Sequence, residues 1–182
     1  PRHLDTTFSP EDAQMAEESP HVLAEAEEEN PHVLTEMRPF QGSLEGMIVA
    51  EDGSYKDAGD RCIVHVMTYD GDYGKSVYVK HLVAKHGAVK IGYEGASNVM
   101  CFLATKEEEW NELGRSAIIV IDIPMAADMN KKEMYRMLED VKGGQFFSGK
   151  YQPKTVSLTP PPHVFVFGNE QLVAELMTAD KF

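Results

Sequence analysis

The chain of 182 residues has no uninterrupted apolar run approaching the roughly 18 residues that a membrane helix needs. No membrane span is expected, and an acidic rather than basic and apolar amino end gives no expectation of a secretory signal. Cysteine is scarce. Cys62 and Cys101 each lie within an apolar run, which predicts two buried free thiols in a reducing, intracellular compartment rather than a disulfide framework. Basic residues are also few, 17 against 30 acids, for a net charge of −13. That balance argues against non-specific binding of nucleic acid. The deficit is uneven, however: residues 1–36 hold ten acids and one base, carrying −9 of the total, so the other 146 residues carry −4. An apolar content of 42% is enough for one ordinary core.

Residues 1–36 alternate Pro, His and Glu-rich segments and repeat Pro-His-Val-Leu at Pro20 and Pro31. This composition buries too little apolar surface to offset its ordering entropy, so it is expected to be a linker that is disordered or loosely helical around residues 24–29. His21 and His32 within it are read as solvated residues rather than metal ligands. A folded domain is expected over 37–182. A short helix is expected around Leu44, Met47, Ile48 and Val49, then a turn at Glu51-Asp52-Gly53. The apolar run from Cys62 to Met67 reads as a buried strand. Helical spacing follows over Lys75–His86, with Val79, Leu82 and Val83 on one face.

A second strand is expected over Val89–Gly92, and 98–105 is apolar but ambiguous in period. A helix over 106–113 offers Trp110 and Leu113 for burial before Gly114, and a β-branched strand over 117–122 ends on Asp122. Asn130 is placed to cap a helix over 131–141 whose inward stripe is Met134, Met137, Leu138 and Val141. After Gly143-Gly144 come two short strands around a turn, then an apolar strand from His163 ending on Asn169, then a helix over 170–177. Strands alternating with helices predict an α/β fold with a mainly parallel sheet covered on both faces, and ligands gathered at the carboxyl ends of the strands.

Three such ends carry chemistry. The first strand empties into Tyr69-Asp70-Gly71-Asp72-Tyr73-Gly74-Lys75-Ser76 before a helix. That is the context of a phosphate-binding loop: glycines let backbone N–H groups turn toward phosphate oxygens, Lys75 reaches the outer phosphates and the Ser76 hydroxyl ligates Mg²⁺. Tyr69 stands where the full Walker pattern has its first glycine. Asp122, at the end of a β-branched strand, fits the Walker B acid that holds the Mg²⁺ shell beside the serine. Asn169 ends the last strand. The expected nucleotide-binding set is therefore Gly71, Asp72, Tyr73, Gly74, Lys75 and Ser76, with Ser76 and Asp122 as metal ligands. Lys142, Lys150 and Lys154 put local positive charge around the two short strands and are the candidate nucleic-acid contacts.

Gly-Lys-Ser, Asp and Asn in this order resemble motifs A, B and C of a superfamily 3 helicase, the AAA+ related P-loop ATPase in Rep proteins of small circular single-stranded DNA viruses. Arg38-Pro39-Phe40-Gln41 resembles the Arg-Pro-Trp-Gln that opens that domain. Ile121-Asp122-Ile123-Pro124 is similar to its Asp-Ile-Pro-Arg, and the stretches 138–144 and 148–151 are similar to its B′ region. The stretch 162–169 is similar to motif C, and 178–182 to a Ser-x-Asp-Arg-Trp segment. The resemblance covers roughly 37–182. It implies an ATP and Mg²⁺ dependent helicase acting on single-stranded DNA in rolling-circle replication, within the host nucleus. It also implies a homo-oligomer, as a hexamer, in which Lys181 would extend into a neighbour's ATP site and the hairpin around Lys150 would face a central channel. Asn169 would act as the sensor of attacking water or γ-phosphate. Three departures accompany it: Lys181 replaces arginine, Met125 replaces the arginine after Asp-Ile-Pro, and Ile123 stands where many ATPases have a second acid, leaving Glu139 as a distant candidate base. The His-hydrophobe-His pair of the HUH endonuclease that precedes this domain in Reps is not found in the chain. These departures keep open a nucleotide-binding assembly module with little or no hydrolysis.

Overall fold

The computed structural model describes residues 32–59, 62–67, 74–123, 130–151 and 153–169. The expected linker up to residue 31, the loop residues 68–73 and the final segment 170–182 lie outside the described residues. Eleven elements follow in order: α1 (Pro39–Ile48), β1 (Ile63–Met67), α2 (Lys75–His86), β2 (Val89–Gly92), α3 (Ala96–Ala104), α4 (Glu107–Glu112), β3 (Ile118–Asp122), α5 (Lys131–Lys142), β4 (Gln145–Ser148), β5 (Lys154–Ser157) and β6 (His163–Gly168). Among these residues no helix is long and apolar enough to cross a membrane.

Four parallel strands form the central sheet in the order β1-β6-β3-β2. β3 and β6 are the middle strands, and both read as nearly unbroken apolar runs because both of their faces are covered. Side chains alternate across the sheet. Ile119, Ile121, Val164 and Val166 join a core with α3, α5, Trp110 of α4 and the β4-β5 hairpin. Ile118, Val120, Phe165 and Phe167 face the other way, onto Leu44 and Ile48 of α1 and Tyr78, Val79 and Leu82 of α2. The result is an α/β sandwich with helices on both faces of a mainly parallel sheet, compatible with a P-loop NTPase.

Several local expectations are refined. The ambiguous run at 98–105 belongs to α3, where Ala96, Val99 and Leu103 recur at helical spacing and are buried. In α2 the inward face is Tyr78, Val79, His81, Leu82 and His86, while Val83 is 44% exposed. Leu113 likewise stays outside, and Trp110 is the buried residue of α4. Asn130 caps α5 as expected, its side-chain oxygen accepting from the Glu133 N–H at 3.3 Å. Both cysteines are free thiols, but Cys62 is exposed and Cys101 only half-buried, because Cys62 precedes β1 and Cys101 lies toward the outer side of α3. Gly144 turns α5 into β4 with φ +75°, and a Cβ there would stand 2.8 Å from the Leu158 carbonyl, so only glycine fits.

Candidate active site at the carboxyl edge of the sheet

Register brings the strand ends level. Met67 of β1 pairs with Gly168 of β6, Phe167 of β6 with Asp122 of β3, and Asp122 with Gly92 of β2. Because β6 lies between β1 and β3, the residue after its last position, Asn169, sits between the lysine that follows β1 and the acid that ends β3. Lys75 opens α2, and its ammonium donates to the Asn169 Oδ1 at 2.6 Å and to the Gly168 carbonyl at 2.9 Å. Partial burial holds the Lys75 pKa below the ordinary lysine value, against the opposing pull of the Asp122 carboxylate. The three expected strand-end residues are therefore gathered at one edge.

The Asp122 carboxylate also forms an ion pair with Lys90 of β2, Nζ to Oδ2 3.0 Å. Lys90 and Asp122 lie on the same sheet face, two residues apart in register, which sets the diagonal contact. Nothing in the sequence marks Lys90, since a lone lysine in a short strand is unremarkable until its neighbour is known. His65 of β1 is another addition. Its Nε2 would be 3.6 Å from a Cβ built on Gly168, and burial, then the nearby Lys75 charge, lowers its pKa. Ser76 is exposed in the first turn of α2. The Ser76 hydroxyl and the Asp122 carboxylate are hard oxygen donors, the donor type that suits Mg²⁺. Gly71, Asp72, Tyr73 and Lys181 lie outside the described residues.

The three candidate nucleic-acid lysines are of two kinds. Lys142 is 1% exposed, and its ammonium donates to the carbonyls of Ala58 (3.1 Å), Gly59 (2.8 Å) and Pro162 (2.8 Å). It is an internal cross-link and not a surface contact; the last turn of α5 carries it inward beside Val141. Lys150 and Lys154 are exposed on the hairpin. Lys150 bonds Asn98 and stands 5.4 Å from the ring centroid of Tyr151, which is 85% exposed. Lys154 pairs with Glu107 at 2.9 Å.

Glu45, His81 and His86 bring candidate metal-ligand atoms within 4.8 Å of one another. The His81 Nδ1 accepts the Leu34 N–H at 2.9 Å, so a neutral His81 carries its proton on Nε2 and presents no lone pair there. That Nε2 stands 3.4 Å from the Glu45 Oε2 without hydrogen-bond geometry. Glu45 is already a hub of donors: Lys85 at 2.6 Å, His86 Nε2 at 2.8 Å and the Tyr78 hydroxyl at 3.4 Å. Burial alone would raise its pKa, but the hydrogen bonds from Lys85 and His86 lower it overall. The cluster is a bolt between α1 and α2, with no place for a cation.

No family model matches the chain. It is 27% identical over 133 residues to Para-Rep C1 of Faba bean necrotic yellows C11 alphasatellite, and 26% identical over 133 residues to Para-Rep C2 of Subterranean clover stunt C2 alphasatellite. Each match covers 73% of this chain and 41% of the relative, so the chain spans about two-fifths of the length of these proteins. A distant relationship to viral Rep proteins is thereby supported.

Proposed function

We propose, with the distant Rep relationship as premise, that the chain is the superfamily 3 helicase domain of a viral replication initiator. In this reading it binds ATP with Mg²⁺ and hydrolyses it to move on single-stranded DNA. The observation that carries the reading is the Lys75 ammonium held 2.6 Å from the Asn169 side chain at the edge that also bears Asp122. A cation, an amide and a carboxylate from three strand ends suit a triphosphate, whose transfer is governed by positioning and charge stabilisation rather than covalent chemistry. Lys75 would bind the outer phosphates, Asn169 would orient the attacking water or the γ-phosphate, and Ser76 with Asp122 would hold the metal. Bound Mg²⁺ would neutralise phosphate charge. Lys150 and Lys154 would track the DNA backbone, and a ring of subunits would complete each site through Lys181.

A second reading, nucleotide binding for assembly without turnover, is favoured by Ile123. It follows Asp122 and packs against the apolar core where a second acid would stand. Phosphate release measured with single-stranded DNA across a protein concentration series separates the two. Hydrolysis predicts specific activity that rises with concentration and falls about 100-fold or more in Lys75→Ala. Tight ATP binding with background release at every concentration selects the assembly module, and equal rates in both proteins exclude Lys75 from the chemistry.

A further inference from the structure

One buried polar side chain beside the site remains without a role. Gln41 of α1 is 3% exposed. Its Oε1 accepts the Arg38 N–H at 2.9 Å, and its Nε2 donates to the Gly74 carbonyl at 3.1 Å, across 33 residues of chain. The same Gly74 carbonyl accepts the Tyr78 N–H at 3.0 Å, the first i to i+4 bond of α2. Both lone pairs of this oxygen are therefore occupied by donors from two different helices.

A trans peptide is planar, so fixing the Gly74 C=O fixes the direction of the Lys75 N–H on the opposite side of the same unit. With the carbonyl directed down α2, that N–H is directed out of the helix start, where the unsatisfied donors of a first turn meet an anion. Gly74 reaches this geometry at φ +80°, and a Cβ on it would stand 3.1 Å from the Gln41 Nε2 and 3.5 Å from the Arg38 Nε. The close approach of α1 is thus matched to a glycine at the last loop position.

We propose that Gln41 is a positioning residue for nucleotide: its amide group holds the Gly74–Lys75 peptide in the orientation that binds phosphate. The inference rests on the nucleotide-binding reading above. Gln41 also closes the start of α1 through Arg38, and a residue with that duty alone would leave phosphate binding untouched.

Gln41→Glu separates the two duties, since the carboxylate still accepts the Arg38 N–H but sets an oxygen against the Gly74 carbonyl. Binding of a fluorescent ATP analogue with Mg²⁺, read by anisotropy, is compared in wild type, Gln41→Glu and Lys75→Ala, with a melting curve of each nucleotide-free protein. The expected result is about tenfold weaker binding by Gln41→Glu at a nearly unchanged melting temperature. Hydrolysis at saturating nucleotide would stay within about twofold of wild type, so that KM and not kcat carries the change. Wild-type affinity in a folded Gln41→Glu overturns the inference while leaving the nucleotide site standing. Wild type that binds no better than Lys75→Ala overturns both. Should Gln41→Glu melt far below wild type, Gln41→Met, similar in length and apolar, gives the decision: weakened binding supports the role and unchanged binding overturns it.

Discussion

A lysine is a surface charge or an internal tie according to where its ammonium ends, and residues 142 and 150 illustrate both. Lys142 satisfies three carbonyls in an environment that excludes water, whereas Lys150 stands on an exposed turn next to Tyr151. Lys142→Met would leave three acceptors without that donor and is expected to destabilise the fold by about 3 kcal/mol, measured by denaturant unfolding. It should leave DNA affinity unchanged once folded protein is compared. If the chain binds single-stranded DNA as proposed, Lys150→Ala should do the reverse, weakening that binding severalfold and flattening its salt dependence with little effect on stability. DNA affinity that follows Lys142 and ignores Lys150 would contradict this assignment. The Lys90–Asp122 pair is a gentler case: both side chains are about half exposed, so the pair is worth no more than about 1 kcal/mol.

At the scale of elements, α1 and α2 are joined along their length rather than at one point. Gln41 holds the start of α2, Glu45 gathers Lys85, His86 and Tyr78 farther along, and Leu34 reaches His81 from the segment before α1. Glu45 is 15% exposed, so its removal strands buried donors that water reaches poorly. Glu45→Ala is expected to cost about 2–3 kcal/mol in equilibrium unfolding, while Lys85→Ala, at a side chain 43% exposed, should cost about 0.5 kcal/mol. Comparable losses from the two would show that the carboxylate acts as a simple surface partner. Expectations drawn from period and caps held well at this scale. Lys75–His86 and Val89–Gly92 match the observed bounds, and the expected stripe of α5, Met134, Met137, Leu138 and Val141, is buried, joined by Tyr135 and Lys142. These elements were legible because apolar period, an Asn cap and a following glycine are local properties.

For the whole molecule, several buried or half-buried histidines give stability a defined dependence on pH. His65, His81, His86 and His163 all have pKa values lowered, in each case chiefly by burial. In the unfolded chain the same rings take up a proton near pH 6.5. Below that point the unfolded state binds more protons than the folded one, so stability is full above about pH 6.5 and is lost as pH falls through the lower folded values. The melting temperature should therefore drop by several degrees between pH 7.5 and 5.5. A flat profile over that range would mean that these rings are not held neutral by the fold.

The amino-acid sequence by itself determined the type and order of the described elements other than α3, whose apolar run was ambiguous in period, and the alternation of strand and helix. It also marked the three residues at which strands deliver a cation, a carboxylate and an amide, because each of those signals is written within a few neighbouring positions. Only the tertiary structure decided that β6 inserts between β1 and β3, that Lys75 meets Asn169 across 94 positions, that Gln41 bonds Gly74 across 33, and that Lys142 turns inward to Ala58 across 84. Such partners are chosen by how helices and strands pack to bury two apolar faces at once, and no local pattern of residues encodes which distant carbonyl an amide or ammonium will meet.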